Sequence, residues 1–317
     1  MTLARAPGKV ILFGEHAVVY GRPAIAVPVS QVQAQAQIEP GSTGQGLVLV
    51  APDVDYRAAV REAASDDPLA QIVRLTMDAL IQRTRASVIQ DRDQDLTITV
   101  TSTIPIARGM GSGAAVSTAI VRALAAHYDH WMPSQAISDL VYQAEVIYHG
   151  TPSGIDNTVI AFGKPVYFVR DEVQQVFWLG RPLLLAIADT GIQSSTREVV
   201  SDLRLRAEAD PDYYHPLFDQ MGEITASARA AMEDGQLETL GQLMERNHAL
   251  LREIGVSCPE LDRLVLAAQE GGALGAKLSG AGWGGNMIAL IPKEKQGQID
   301  MMLRLAGATA VITTQVQ

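Results

Sequence analysis

The chain has 317 residues, 47% of them hydrophobic, with 25 lysines and arginines against 35 aspartates and glutamates and a formal net charge of −10. That length carries about two domains with sizeable cores, and the acidic balance, without any lysine- or arginine-rich block, argues against a nucleic-acid or anionic-membrane surface. The single cysteine, Cys258, excludes an intrachain disulfide framework and a cysteine-based metal cluster.

The apolar run Val10–Phe13 is too short for a signal peptide and is bracketed by Lys9 and Glu15. No stretch approaches a membrane span, so a cytoplasmic chain is expected, in the reducing compartment that suits a lone cysteine. Ala4–Gly14 opens as a strand whose continuous apolar run points to cover on both faces. Ala24–Val29 and Val32–Ile38 read as two further strands, Gly41–Gly46 as a hairpin-like turn from which Leu47–Val50 returns, and polar Asp53–Asp67 as irregular or partly helical. Leu69–Arg83 carries helical periodicity, and Leu96–Ile104 alternates as a half-buried strand.

Next comes Ile104–Ile120, IPIARGMGSGAAVSTAI. Gly109, Gly111 and Gly113 permit positive φ and close approach of backbone N–H groups, and Ser112 stands where the chain enters a small-residue helix. A glycine loop feeding a helix N-terminus suits an anion, so this stretch is either a phosphate cradle or a tight structural turn. Gly109-Met-Gly111-Ser-Gly113-Ala114 also fits the dinucleotide fingerprint. Such a site needs a strand soon after the helix, and Asp129–Pro133 is a turn instead. No Walker lysine follows the glycines, and the protein-kinase signature set is missing.

Ser134–Tyr148 is a helix with Ser134 as its N-cap, Gly150–Asn157 a loop, and Val166–Val169 with Val173–Leu179 a hairpin. The character changes around Leu179–Pro182, which places a boundary near residue 180 and gives two domains, 1–180 and 181–317. In the second, Leu183–Ala188 is a buried strand, and helices are expected over Thr196–Ala209, Pro216–Asp234, Leu237–Ile254 and Glu260–Gly271. Ala276–Ser279 enters a second glycine run, Met287–Ile291 leaves it as a strand, and a helix Ile299–Leu305 and a strand Ala310–Gln315 close the chain. The first half mixes antiparallel strands with helices, the second is helix-rich, and both are α+β.

Four side chains stand out, each with a plain and a chemical reading. Lys9 either snorkels at a strand edge or serves as a fixed cation beside a transferring phosphoryl group. Asp156 either caps a turn or orients and deprotonates a hydroxyl. Glu145 either lies on a solvated helix face or reaches Mg²⁺, which takes one or two carboxylates when phosphates and water fill its other positions. His16 is either structural or a hydrogen-bond donor to an anionic or hydroxylated substrate. The six histidines are scattered without ligand spacing, and no Gly-x-Ser-x-Gly elbow marks a serine hydrolase.

Together these stretches resemble the GHMP small-molecule kinases. Pro7-Gly-Lys-Val-Ile-Leu-Phe-Gly-Glu-His-Ala-Val-Val-Tyr-Gly21 is similar to the family's first motif, Pro105–Ala115 to its glycine-rich second, and Lys277-Leu-Ser-Gly-Ala-Gly-Trp-Gly-Gly285 to its third, in family order. Glu15–Gly21, His149–Asn157, Asp189–Thr196 and Ile254–Asp262 resemble the branch that acts on mevalonate. The resemblance implies an N-terminal domain like ribosomal protein S5 domain 2 and a ferredoxin-like C-terminal domain with extra helices, with ATP and mevalonate meeting in the cleft. It implies Mg²⁺-assisted phosphorylation of the mevalonate 5-hydroxyl, a step of isoprenoid precursor synthesis.

By position, the resemblance makes Asp156 and Lys9 catalytic. It places Pro105, Arg108, Gly109, Met110, Gly111, Ser112, Gly113 and Ala114 on the phosphates, and Glu145 with Ser112 on Mg²⁺. Lys9, Glu15, His16, Asp156, Thr196, Gly280 and Ala281 fall on the substrate side. Two departures concern metal coordination and the cleft mouth: Gly113 replaces a second serine, and Trp283 stands where a glycine or small residue is usual. A homodimer is expected. Alternatives are a sister kinase acting on phosphomevalonate or on another mevalonate hydroxyl, a non-catalytic ligand sensor on the same fold, and a Rossmann-type oxidoreductase.

Overall fold

A computed structural model describes residues 1–83, 95–105, 108–149, 153–170 and 172–317. By compactness the chain divides into two interleaved units, Met1–Gly8 with Val32–Ile106 and Met110–Gly163, and Lys9–Gln31 with Ala107–Gly109 and Lys164–Gln317. The first two strands run through both. β1 (Thr2–Phe13) is largely buried from Gly8 onward. β2 (Ala24–Pro40) is one strand where the sequence suggested two. Pro28 falls outside both of its registered ladders, 24–26 with β6 (Val166–Phe168) and 34–40 with β5 (Leu96–Ser102), so its missing N–H breaks no bond in either.

In the first unit the strand order is β4-β3-β5-β2, with β3 (Leu47–Ala51) antiparallel to β4 (Tyr56–Ala59) and parallel to β5. The expected hairpin between the second and third strands is therefore replaced by an insertion of β5 between them. Asp95 supplies the reason. Its carbonyl accepts the Gly41 N–H at 2.6 Å, and its carboxylate accepts the Gly44 and Gly46 N–H groups at 2.7 and 2.6 Å. The glycine turn is thus satisfied from the start of β5 rather than across a two-stranded ladder. Those backbone donors hold the Asp95 carboxyl below its ordinary range, Gly46 first and Gly44 next. The segment read as irregular contains a short 3-10 turn, Pro52–Val54, followed by β4.

Among the described residues four helices pack on one another in this unit: α1 (Pro68–Arg83), α2 (Ser112–His127), α3 (Ser134–His149) and α4 (Ile155–Phe162). Of the loop expected over 150–157, residues 150–152 lie outside the described residues, as do Ile106 and Ala107 of the first glycine loop. The remainder is shorter than expected, because α4 begins at Ile155 behind Gly154, which is left-handed at φ 80. Asn157 ties α4 to α3, donating to the Ser138 carbonyl at 3.1 Å and hydroxyl at 2.9 Å.

The second unit carries β6, the short β7 (Gln175–Val176) and a four-stranded antiparallel sheet of order β11-β8-β10-β9. Its strands are β8 (Leu183–Asp189), β9 (Gly275–Ser279), β10 (Asn286–Leu290) and β11 (Ala310–Val316). In chain order that is fourth-first-third-second, the ferredoxin-like arrangement. Where a simple ferredoxin-like unit has one helix between its first two strands, this chain has α5 (Thr196–Ala209), α6 (Pro211–Glu233), α7 (Leu237–Glu253) and α8 (Pro259–Glu270). The helix α9 (Gln296–Leu305) precedes β11.

Helix α6 starts five residues earlier than the sequence suggested and holds Pro216 inside it. Asp210 caps it through the Tyr213 N–H at 3.3 Å, and Pro211 pre-sets its first turn. Helix α7 lies directly on β9. A Cβ on Gly241 would sit 2.1 Å from the Leu274 carbonyl oxygen, and one on Gly275 2.1 Å from that of Gly241. Side chains at these two positions would push the helix off the strand that carries Lys277. Among the described residues no helix is long and apolar enough to cross a membrane.

Candidate functional site

In the first unit the N-terminus of α2 is the focus. Gly109 and Gly111 have φ of 67° and 70°, and Gly111 is the N-cap of α2. Gly113, expected to share their conformation, does not. It is the second residue of the helix, and a Cβ there meets nothing within 4 Å. Two left-handed residues suffice to turn the chain, so the third simply continues the helix. The opening turn of a helix has N–H groups with no partner four residues back and the positive end of the dipole, both favourable to an anion.

This end of α2 borders a cavity of about 320 Å³ whose lining includes Ser112, Gly113, Val116 and Glu145, with Val54 and Leu69 on its apolar wall. The volume lies in the range of small-molecule sites, roughly 300–1,000 Å³. Glu145 is half-buried on α3, so it is not the solvated helix-face glutamate of the plain reading. Pro105 is half-buried, Met110 and Ala114 are buried, and Asp156 is half-buried in the first turn of α4. An apolar wall, an anion-favouring helix end and two carboxylate residues, Glu145 and Asp53, the latter accepting the Ser102 N–H at 2.8 Å, suit a phosphorylated ligand with a flat apolar part and a divalent cation. Among the described residues no group of three or more His, Cys, Asp or Glu could hold a metal. Mg²⁺ would therefore draw most of its oxygens from phosphate and water, as it does in nucleotide sites.

In the second unit the first motif meets the third. Lys9 is buried in β1 at 7% exposure. At His16 the backbone has φ 61° and ψ −51°, and the Ala17 N–H donates to the Glu15 carbonyl at 2.7 Å. Together these define a classic γ-turn, a rare and strained form. The His16 ring is also buried, and its Nε2 lies 2.7 Å from the Ala281 carbonyl oxygen. A carbonyl only accepts, so Nε2 carries the proton. Burial pushes the His16 pKa down to about 4, against the opposing bond to Ala281. The neutral ring thus keeps Nδ1 as an acceptor. The sequence suggested a donor; the ring's one N–H is already engaged by Ala281, and what remains suits a hydroxyl rather than a carboxylate.

The Glu15 carboxylate is buried and accepts from Lys277 Nζ, which also donates to the Leu278 carbonyl at 2.7 Å. Asn247 Nδ2 lies 3.4 Å from its second oxygen. Lys277 is wholly buried in β9, and that burial lowers its pKa against the pull of Glu15. Sequence reasoning used Lys277 only as part of a motif. The available signal was a lysine inside a strand otherwise buried on both faces, since a buried cation needs a partner.

Arg108, expected on phosphate, directs its guanidinium elsewhere. Nε lies 3.1 Å from the Asp189 carboxylate and Nη1 3.2 Å from the Ile192 carbonyl, while the Arg108 carbonyl accepts from Asn286 at 2.9 Å. Thr196 is exposed and opens α5 behind its N-cap Ser195. Gly280 is left-handed at φ 94 and half-buried beside Ala281. Trp283 takes φ 54°, unusual for a bulky residue. Its backbone N–H donates to Val256 at 2.9 Å and its indole N–H to the Gly255 carbonyl at 3.0 Å, so the loop is pinned to the turn after α7. Within the first unit, then, Ser112, Gly113 and Glu145 line one cavity. Within the second, Glu15, His16 and Ala281 form one cluster, and Arg108 joins Asp189.

Two family profiles match the chain: GHMP kinases N terminal domain over residues 71–164, and GHMP kinases C terminal over residues 228–300. A mevalonate kinase of Pyrococcus abyssi is 32% identical over 335 residues, covering 99% of this chain and 95% of the relative. One from Aeropyrum pernix is 32% identical, covering 94% and 90%. The crystal structure of L. major mevalonate kinase in complex with R-mevalonate aligns with a TM-score of 0.82 at 30% identity, over 100% of this chain and 96% of that one. The Methanococcus jannaschii mevalonate kinase structure aligns with a TM-score of 0.83 at 24% identity over 99% and 98%, a likeness of fold.

Proposed function

This chain belongs to the GHMP kinase family, and from that premise we propose that it transfers the γ-phosphoryl group of ATP to the 5-hydroxyl of mevalonate, giving 5-phosphomevalonate and ADP. The observation that carries this is the full-length likeness, at 30–32% identity, to relatives named mevalonate kinase. ATP use follows from the kinase family.

The 5-hydroxyl oxygen forms the new bond to the γ-phosphorus, the bond from that phosphorus to the ADP oxygen breaks, and the hydroxyl proton passes to the Asp156 carboxylate. Lys9 offsets charge developing on the attacking oxygen. Amides of the 109–114 loop, with Pro105 and Ala114 shaping it, receive the phosphates. Glu145 and Ser112 would hold Mg²⁺, whose chemistry when bound is to neutralise phosphate charge. His16, Thr196, Gly280 and Ala281 are assigned to the mevalonate side, with His16 Nδ1 accepting a substrate hydroxyl. The functional division at residue 180, residence in the cytoplasm and a homodimeric state belong to the same proposal. The lone cysteine supports the compartment.

The test is ADP release by purified protein offered ATP and, separately, mevalonate, phosphomevalonate, galactose and homoserine. Turnover with mevalonate alone is expected. Turnover only with phosphomevalonate would assign the chain to a sister activity, and binding without turnover would make it a sensor.

A further inference from the structure

Segment 277–281 grips segment 11–16 at three points. Lys277 Nζ donates to the Glu15 carboxylate, the Ser279 hydroxyl donates to the Ile11 carbonyl at 2.7 Å, and the Ala281 carbonyl takes the His16 ring N–H at 2.7 Å. The last of these falls on the central residue of the γ-turn, which is closed by the Glu15 carbonyl. Glu15 therefore carries both the acceptor that closes the strained turn and the carboxylate that meets Lys277. We propose that the buried Lys277–Glu15 ion pair is a positioning clamp, which holds His16 in its strained turn and fixes the ring that receives the substrate hydroxyl. The assignment of Glu15 changes accordingly, from substrate contact to positioning residue. This rests on the substrate-side role of His16 proposed above.

Two physical points support the clamp. A fully buried ion pair is weak evidence for stability, because well-packed apolar residues of similar volume often do as well or better. Lys277 and Glu15 are 0% and 2% exposed at their side chains, so their desolvation is nearly complete. Strained turns also persist only where the surroundings over-determine them. Here the turn is held by a charge, a carbonyl and a hydroxyl from one strand and the glycine run that follows it. Asn247 completes the surroundings of Glu15 through Nδ2, and its own Oδ1 is buried with no partner among the described residues.

Lys277→Met, Glu15→Gln/Lys277→Met and His16→Asn decide the matter. In the free protein, Lys277→Met should speed amide exchange at Ala17, whose N–H closes the turn, by about tenfold or more relative to the amides of β10. Calorimetry should show mevalonate affinity falling as far as in His16→Asn, with ATP affinity within about twofold of the parent, and Lys277→Met added to His16→Asn should weaken mevalonate no further. A folded Lys277→Met protein with unchanged Ala17 exchange, or with effects that add in full to those of His16→Asn, overturns the clamp. If Lys277→Met does not fold because the Glu15 charge is stranded, the doubly neutral variant carries the same comparison. Should that variant also fail to fold, the pair is a requirement of the fold and the proposal falls. Local loosening at Ala17 in a protein that binds no mevalonate would support the clamp while removing the substrate assignment.

Discussion

Replacing Gly113 by serine supplies the hydroxyl that the family resemblance implies at this position and tests the geometry of the phosphate loop. Were Gly113 left-handed, a side chain would cost about 1–2 kcal/mol. It is instead the second residue of α2, exposed, with open space where the Cβ would go. Helix propensity then governs, and exchanging glycine for serine inside a helix gains roughly 0.5 kcal/mol. For a chain of this size that is an increase of about 1 °C or slightly less in melting temperature. The new hydroxyl stands at the cavity that Ser112 and Glu145 also line, so the Mg²⁺ concentration for half-maximal rate should fall. The assay pairs thermal melts with Mg²⁺ titrations of rate. A melting temperature lowered by several degrees would refute the helical placement of Gly113. An unchanged Mg²⁺ dependence in a stabilised protein would refute the metal assignment at this loop.

Glu145→Gln should act in the opposite sense, raising the Mg²⁺ requirement while mevalonate binding by calorimetry stays close to that of the parent; a folded variant with the parental Mg²⁺ curve makes Glu145 a cavity-wall residue only. Asp156→Asn should lower kcat by roughly 10²–10⁴ with ATP affinity little changed. Lys9→Met should lower kcat too, and if both side chains serve the proposed transfer a double-mutant cycle should be less than additive; full additivity separates them. His16 and His248 are both buried with pKa values pushed down to about 4 by burial, so the unfolded chain binds protons that the folded chain refuses between about 6.5 and 4. Stability should therefore be intact above about pH 6.5 and fall with acidification by about 1.4 kcal/mol per pH unit for each such histidine. Denaturant unfolding across pH 4.5–7.5, an interval of about three pH units, should show a shallower slope for His248→Gln, and an identical slope contradicts a neutral buried His248.

The fold was legible where periodicity was strong. The glycine loop entering α2, the long helices of the second half and the strand at Leu183 all follow from spacing and caps. What escaped was non-local. Asp95 satisfies the glycine turn from 49 residues beyond Gly46, which no local pattern announces, and so β5 enters where a hairpin was expected. Helix α4 escaped because turn-forming residues fill the stretch before Ile155, and the extent of α6 because Pro216 masks a capped start at Asp210. Of the candidate site, the residue identities were legible in the three glycine- and charge-bearing motifs, whereas their partners were not. Glu15 reads as a substrate ligand in sequence because Lys277, 262 residues away, is invisible to it. Arg108 reads as a phosphate ligand for the same reason, with Asp189 far along the chain.

The proposed reaction places phosphate on one particular oxygen, and phosphorus NMR of the product made from ATP and R-mevalonate reads which oxygen that is. A single new monoester resonance coupled to the methylene protons at carbon 5, formed in step with ADP, is expected. A phosphate on the tertiary 3-hydroxyl, which shows no such methylene coupling, or the absence of any mevalonate-dependent product, would contradict it.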